Sequence, residues 1–122
     1  MASILTSTKK ILGLDEGYTA FDLDIITHIN TVFSTLSQLG VGPEEGFFIE
    51  DAADDWDSFD VPPNQLHMAK SYLYLKVRML FDPPGTSYLI TAMENQIREM
   101  EWRMNMLREV LLPDPDLEEV IP

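Results

Sequence analysis

Apolar residues between positions 66 and 111 recur with helical spacing, and this pattern predicts two long helices joined by a short loop. In the second helix the apolar positions alternate three and four residues apart, as in the seam of a coiled coil. These positions are Ile90, Met93, Ile97, Met100, Met104, Leu107 and Leu111. Burying side chains of this size contributes roughly 1.5–3 kcal/mol each before entropy is subtracted, so the helix needs a partner. The preceding helix is the nearest one.

That preceding segment, residues 66–81, carries two apolar rows. The first row consists of Leu66, Ala69, Leu73, Val77 and Leu80. The second row consists of Met68, Tyr72, Leu75 and Met79. A helix that is apolar around most of its circumference is central in a bundle, or one of its faces contacts another molecule. We therefore expect two neighbours for this helix, and the second row is a candidate subunit or partner interface.

The sequence Asp82-Pro83-Pro84-Gly85 separates the two helices. Proline cannot continue a helix, and a residue that precedes proline favours an extended conformation. Either Thr86 or Ser87 can then cap the following helix. The pattern predicts a helical hairpin with a short, tight loop.

Two shorter helices are predicted before the hairpin. Residues 3–12 have a weakly amphipathic pattern that stops near Gly13. From Thr19 onward a longer apolar stripe runs to Leu39, and Thr19 and Asp22 have the spacing of a capping box. The stripe consists of Phe21, Ile25, Ile29, Val32, Leu36 and Leu39. Glycine and proline in residues 40–43 end this helix.

The resulting fold class is all-α: a small bundle of about four helices with a long C-terminal helical hairpin, a connecting loop at residues 40–63 and an extended C-terminal tail. We expect one helical domain at residues 1–112 and an acidic C-terminal arm at residues 113–122. Leu117, Val120 and Ile121 lie among acids in that arm. They allow it to dock as an extended strand on another subunit, and a frayed terminus is the alternative.

The connecting loop has the most unusual composition in the chain. Between residues 44 and 60 it contains eight acids, five large apolar residues that include Trp56, and no base. The acids are Glu44, Glu45, Glu50, Asp51, Asp54, Asp55, Asp57 and Asp60. Their order does not match a calcium-binding loop of the EF-hand type, which places acids at positions 1, 3 and 5 and glycine at 6. We interpret the loop as a connection whose aromatic residues anchor it while its carboxylates face water.

Within this loop, residues 47–50 are predicted to form a short strand or an extended segment, and residues 54–59 one helical turn. A second apolar patch lies on the last helix. Trp102 and Met106 are four residues apart and outside the seam. If they are exposed in the folded chain, they indicate a contact with another protein.

The formal net charge of −13 arises from 21 acids and 8 bases. DNA and anionic membranes repel such a protein, so we expect no specific nucleic-acid binding and no membrane association. Solubility alone is the alternative explanation of the charge. The chain contains no cysteine, which excludes disulfides, thiolate nucleophiles and Cys-bearing zinc sites. We expect neither a membrane-spanning helix nor a secretory signal.

Motifs for catalysis are missing from the sequence. It contains no Gly-rich phosphate loop, no Ser-centred elbow and no paired-histidine motif, and His28 and His67 are its only histidines. The carboxylates lie in polar stretches where nothing indicates a raised pKa. We therefore predict a protein that is not an enzyme and that has no cofactor and no metal.

Several stretches together resemble the head-tail connector, or adaptor, proteins of long-tailed bacteriophages. The resemblance covers residues 4–110 and ends with the long last helix. The stretches are residues 5–14 (LTSTKKILGL), 18–22 (YTAFD), 39–43 (LGVGP), 70–72 (KSY), Arg78 and 80–84 (LFDPP).

The resemblance implies a non-enzymatic virion protein that forms a ring, commonly of twelve copies, beneath the portal at the capsid vertex. Such a ring contacts the portal and a stopper or tail-completion protein, and DNA passes through its channel. It implies assembly in the host cytoplasm and a final location in the virion neck. Under this reading the acids of residues 44–60 are candidates for a channel-lining or tail-facing loop, because carboxylates repel the phosphate backbone.

A hypothesis from another class is an acidic soluble inhibitor, or DNA mimic, that acts on a host nucleic-acid-binding protein. A mimic presents regularly spaced acids over one surface. In this chain the long last helix mixes Arg98, Arg103 and Arg108 with glutamates instead. That mixture favours the connector hypothesis.

Overall fold

The computed structural model describes residues 2–111, with side chains to residue 106. Four helices lie in this part of the chain, and it contains no β-strand. They are α1 (Ile4–Ile11), α2 (Asp22–Gln38), α3 (Pro63–Phe81) and α4 (Ser87–Leu111). A short 3₁₀ turn, Trp56–Ser58, lies in the loop between α2 and α3. The all-α prediction with a long C-terminal hairpin is confirmed, and the predicted arm at residues 113–122 lies outside the described residues.

The helix ends follow mostly from local chemistry. Ser3 caps α1, since its Oγ accepts a 3.2 Å hydrogen bond from the amide of Thr6. Proline occupies the first position of α3, where a missing amide proton costs nothing. At the start of α4, the Thr86 Oγ1 accepts a hydrogen bond of 3.4 Å from the amide of Leu89. Of the two caps predicted for this helix, Thr86 is therefore the one that bonds to the first turn.

The predicted capping box at Thr19 and Asp22 is wrong. Helix α2 begins at Asp22, its N-cap residue is Phe21, and no side chain caps it. The Asp22 carboxylate instead pairs with Lys9 of α1, with Oδ1 at 2.9 Å from the Lys9 Nζ. An ion pair between two helices has replaced the local hydrogen bond that the spacing suggested.

Helix α3 is central in the fold. It packs most extensively on α2, next on α4, and also contacts α1. In its first apolar row Ala69, Leu73 and Val77 are fully buried, whereas Leu80 at the helix end is 44% exposed. The prediction of two neighbours for the two rows is confirmed, because α2 and α4 both pack on α3.

The predicted seam of α4 faces the core over its described length. Ile97 and Met104 are buried, and Ile90, Met93 and Met100 are half-buried. The side chains of Leu107 and Leu111 lie outside the described set. Among the described helices, α4 has its only extensive contact with α3. It therefore lies along one side of a three-helix core formed by α1, α2 and α3.

An aromatic cluster holds the loop between α2 and α3 on this core. Phe33 of α2 lies in the middle, with ring centroids 4.8 Å from Phe47, 5.0 Å from Phe59 and 5.9 Å from Trp56. Residues 47–50 have no regular secondary structure, so the predicted short strand does not form, and the predicted helical turn is the 3₁₀ turn. The prediction that aromatic residues anchor the loop is confirmed for the buried rings, while Phe48 is 65% exposed.

Two polar contacts fix the path of the same loop. The side-chain amide of Asn30 donates a 3.0 Å hydrogen bond to the carbonyl of Ile49 and accepts one of 2.8 Å from its amide. The chain segment before α1 pairs with the other end of the loop through an isolated antiparallel bridge between Ser3 and Asp55. Helix, loop and N-terminal segment are thus joined into one packed unit.

Gly42 lies where the loop passes closest to the aromatic cluster. Its φ of +102° is in the region that favours glycine, and a Cβ built there lies 2.7 Å from Cε1 of Phe59. The Phe59 ring is itself 2% exposed and packed against Phe33 and Phe47. The close approach therefore depends on the absence of a side chain at position 42.

None of the helices in residues 2–111 combines the length and the apolar character that crossing a membrane requires.

Candidate assembly surfaces

The outer side of α4 carries the largest exposed side chain of the predicted interface. Trp102 is 63% exposed and Met106 is 41% exposed, and both project away from the buried seam of this helix. The structure therefore places these two predicted residues together on one free surface. Alternating charges flank them, and the i, i+4 pairs Arg98–Glu94 and Arg103–Glu99 balance each other among the side chains described to residue 106.

A polar joint connects α4 to α3. The Tyr72 hydroxyl donates a 2.6 Å hydrogen bond to Oε2 of Glu101, and the Lys76 Nζ lies 3.4 Å from the same oxygen. Burial raises the pKa of the Tyr72 phenol, and the Glu101 carboxylate raises it further. The phenol therefore remains a donor. Tyr72 is fully buried, so this member of the predicted interface lies inside the chain's own packing.

The other members of the second row, Met68, Leu75 and Met79, are half-buried. Two of them line grooves on opposite sides of the α3–α4 contact. Met79 lies in a groove of about 430 Å³ together with Leu80 and Ile97. Leu75 lies in a groove of about 320 Å³ together with Met100 of α4 and Ile11 of α1. The second row is thus partly covered by α4, and its remainder opens into these two grooves.

The acids of the connecting loop divide into two groups. Six are exposed, namely Glu44, Glu45, Glu50, Asp51, Asp57 and Asp60. Asp54 and Asp55 are half-buried and stabilise the loop itself. The Asp54 Oδ2 accepts a hydrogen bond of 2.7 Å from the amide of Glu50, and the Asp55 Oδ1 accepts one of 3.0 Å from the amide of Ser58.

Within residues 2–106 no ion pair involves an acid of this loop. The same set of side chains contains no cluster of His, Asp and Glu arranged to hold a metal ion. The exposed acids of the loop therefore carry negative charge that no described base compensates.

A further exposed apolar region lies where α3 ends. The ring of Phe21 contacts those of Tyr18 and Phe81 at centroid distances of 5.7 and 5.4 Å. Phe21 and Tyr18 are 40% and 47% exposed, and Leu23 in the first turn of α2 is 77% exposed. These side chains form a second candidate contact surface, which we call the aromatic end.

Sequence reasoning missed two polar residues that hold these surfaces in place. The Lys9 side chain is 3% exposed, and besides its ion pair with Asp22 it donates a 2.9 Å hydrogen bond to the carbonyl of Glu16. Nothing in the sequence around Lys9 distinguishes it from the exposed Lys10. For Asn30 the sequence contains a weak indication. A side-chain amide beside an apolar stripe needs hydrogen-bond partners when a loop packs against it.

The remaining predicted interface residues, Leu117, Val120 and Ile121, lie outside the described residues. Of the other candidates, Tyr72 is buried inside the chain. The rest lie on the outer side of α4, along the second row of α3 beside α4, and in the acidic loop.

Comparison with known proteins agrees with this architecture. A family described as phage connector protein matches residues 4–110. The match spans α1, α2 and α3, the acidic loop and all but the last residue of α4. No curated protein and no solved structure matches the chain. The resemblance to head-tail connectors is confirmed, and the chain belongs to the phage connector protein family, whose members are structural proteins of the virion neck that contact portal and tail.

Proposed function

We propose that this connector assembles as a ring of identical copies beneath the portal, joins the capsid to the tail and surrounds the DNA exit channel. The observation that carries the proposal is the free outer side of α4. A Trp side chain that is 63% exposed, with Met106 one turn away, is apolar area that a single copy leaves in water. Trp is also among the residues that contribute most to protein interfaces.

A closed ring uses two different surfaces of each copy, because every subunit contacts one neighbour on each side. With a charge of −13 per chain, contacts between copies cost least where acids are absent or paired with bases. The outer side of α4 satisfies this condition, since its described charges are paired. We assign one side of the subunit contact to it.

The complementary surface in this proposal is the outer side of α2. Its exposed positions include Thr27, Thr31 and Ser34, and it carries no charged side chain beyond Asp24. The hydroxyls of Thr27 and Thr31 already donate to carbonyls one turn earlier, at 2.9 and 3.0 Å. Burying such a face in an interface costs little free energy of desolvation, because these hydroxyls already donate hydrogen bonds within the helix.

The acidic loop is assigned to the channel or to the tail side of the ring. Six exposed carboxylates without a cationic partner in the described chain repel the phosphate backbone of DNA. DNA then slides past the ring without binding to it. The aromatic end, which includes Phe21 and Leu23, is the candidate for contact with the portal or with the protein that follows the connector.

Electron microscopy of the purified protein, alone and with capsids that carry a portal, tests the proposal. We expect a ring at the portal vertex, and a free protein that forms rings only there also supports it. A protein that stays monomeric and never joins the particle overturns it. If such a protein competes with DNA for a basic host nuclease or polymerase, the result supports the acidic-inhibitor hypothesis instead.

A further inference from the structure

The smaller of the two grooves beside α4 has an unusual electrostatic character for this chain. It lies between the end of α1, α3 and α4 and has a volume of about 320 Å³. Ile11, Leu75 and Met100 supply its apolar surface, and Ile11 is 49% exposed. Arg78 is the single charged residue that lines it. The other lining residues, Ser71, Tyr74 and Gln96, are polar and uncharged. In a protein with a net charge of −13, this groove is thus partly apolar and carries a positive charge.

Arg78 differs from the three bases of the hairpin that form ion pairs. Lys76, Arg98 and Arg103 each pair with a glutamate of α4, at 3.4, 3.7 and 2.8 Å. Arg78 is exposed and has no carboxylate partner among the described side chains. Its guanidinium is therefore available to a carboxylate from outside, which it can bind through two parallel hydrogen bonds.

The larger groove on the other side of α4 supplies a contrast within the same molecule. Its lining includes two bases and two acids, and each base pairs with one acid: Lys76 with Glu101, and Arg98 with Glu94. An incoming carboxylate gains nothing there. The smaller groove is thus the one that fits a segment combining acids with branched apolar side chains.

The chain contains one such segment beyond the end of α4. Residues 113–122 carry four acids and no base, and Leu117, Val120 and Ile121 alternate with them. In an extended segment every second side chain points to the same side. Leu117, Glu119 and Ile121 then share one side, an acid between two apolar groups. This order matches a groove with an apolar floor and one arginine.

We propose that this groove binds the C-terminal arm, residues 113–122, of a neighbouring copy, with Leu117 and Ile121 on its apolar surface and Glu119 paired with Arg78. The inference rests on the proposed function, because it requires neighbouring copies. The eleven residues that follow α4 span up to about 36 Å when extended, which is enough to reach an adjacent subunit. Leu112 and Asp114 each precede a proline, and this favours an extended conformation at the start of the arm.

Photo-crosslinking between isotopically distinct copies tests the proposal. The full-length protein carries p-benzoylphenylalanine in place of Ile121, so that the apolar photoreactive ring lies on the side of the arm that faces the groove. Rings are assembled at the portal from equal amounts of ¹⁴N and ¹⁵N protein. We expect crosslinks to peptides that contain Leu75, Arg78 or Met100, about half of them joining ¹⁴N to ¹⁵N. Adducts on other surfaces, or only within one chain, overturn the proposal.

A second experiment exchanges the charges of the proposed pair. Arg78→Glu should lower the yield of groove crosslinks about three- to tenfold, as expected for reversal of a partly exposed pair. Glu119→Arg in the Arg78→Glu background should restore it. The matched control is Lys10→Glu, the same reversal of charge at an exposed base that lines neither groove, which should leave the yield unchanged. Equal losses for Arg78→Glu and Lys10→Glu, or no restoration by Glu119→Arg, overturn the assignment of the pair.

The two proposals fail differently in this experiment. If rings form at the vertex and no arm crosslinks to the groove, the groove inference fails and the ring stands. If copies crosslink through the groove but the protein is absent from particles, the connector ring at the portal fails and the groove contact stands.

Discussion

The Tyr72 hydroxyl on α3 donates a hydrogen bond of 2.6 Å to the Glu101 carboxylate on α4. It joins the three-helix core to the helix that carries the free Trp102 surface. Lys76, one turn further along α3, also belongs to this joint. Its Nζ lies 5.7 Å from the centroid of the Tyr72 ring. The position of α4 therefore depends on a small polar contact as well as on the apolar seam.

Tyr72→Phe should weaken the attachment of α4. The substitution removes the hydrogen bond to Glu101 and keeps the ring, so we expect a loss of about 1.5 kcal/mol in the free energy of unfolding, measured by urea titration. Tyr88→Phe is the control, because Tyr88 is 81% exposed. If the two variants were equally stable, the joint would not contribute to folding.

The same phenol should make stability depend on alkaline pH. In the folded chain burial holds the pKa of Tyr72 above its ordinary value of about 10, whereas in the unfolded chain the group titrates near that value. As the pH rises past about 10 the unfolded state loses its proton first, so the stabilisation that is complete at lower pH is lost. The free energy of unfolding should fall more steeply between about pH 10 and pH 11 in the wild type than in Tyr72→Phe.

Burial also raises the pKa of Tyr74. Its titration affects the stability of the wild type and of Tyr72→Phe equally. The comparison with Tyr72→Phe therefore isolates the effect of Tyr72. Parallel curves above about pH 10 would show that the Tyr72 phenol does not titrate differently on folding.

Lys9→Met should be among the most destabilising changes of a charged residue in this chain. The Lys9 side chain is 3% exposed and that of Asp22 is 27% exposed, so removing the ammonium leaves a largely buried carboxylate without its partner. We expect a loss of roughly 3 kcal/mol in thermal or urea unfolding. Adding Asp22→Asn should recover part of it. Lys10→Met, at the exposed neighbouring position, should change stability by less than about 0.5 kcal/mol.

Asn30→Ala should loosen the acidic loop without unfolding the helices. It removes both hydrogen bonds to the backbone of Ile49, for an expected cost of about 2 kcal/mol. Hydrogen–deuterium exchange should accelerate at residues 47–50. Ser34→Ala, an exposed change on the same helix, should leave exchange there as it is in the wild type. Unchanged protection in Asn30→Ala would mean that the Asn30 hydrogen bonds do not hold this part of the loop.

Trp102→Ala should separate assembly from folding. The side chain is 63% exposed, so the free energy of unfolding of the single chain should change by less than about 0.5 kcal/mol. If the ring interface buries it, incorporation into particles should fall at least about 30-fold, the effect of losing roughly 2 kcal/mol at an interface hot spot. Phe48→Ala is the matched control at 65% exposure. Similar incorporation of both variants would argue against a subunit contact on this side of α4.

The parts of the fold that were predicted correctly depend on contacts between residues close in sequence. The hairpin follows from the two prolines at residues 83–84 and from the apolar spacing on either side of them. The two rows of α3 indicated two neighbours, although their identity was open. Tyr72 illustrates the limit, because its row marked a contact without distinguishing α4 from a second molecule.

The parts that were missed depend on partners brought together by the fold. Lys9 is buried because the turn after α1 carries the carbonyl of Glu16 and the carboxylate of Asp22 to its ammonium group. That ion pair is also why the spacing of Thr19 and Asp22 did not produce a capping box. Asp54 looked like its neighbours in the acidic run, and only the path of the loop makes its carboxylate an internal acceptor.

Position 42 should be one of the least tolerant sites in the chain, although no assembly surface includes it. Any side chain there meets the ring of Phe59 at 2.7 Å and also requires a backbone angle that L-residues rarely adopt. In a saturation-mutagenesis library selected for infectious particles, nearly every substitution of Gly42 should therefore be depleted. The cause would be steric collision in one subunit rather than any loss of recognition between subunits.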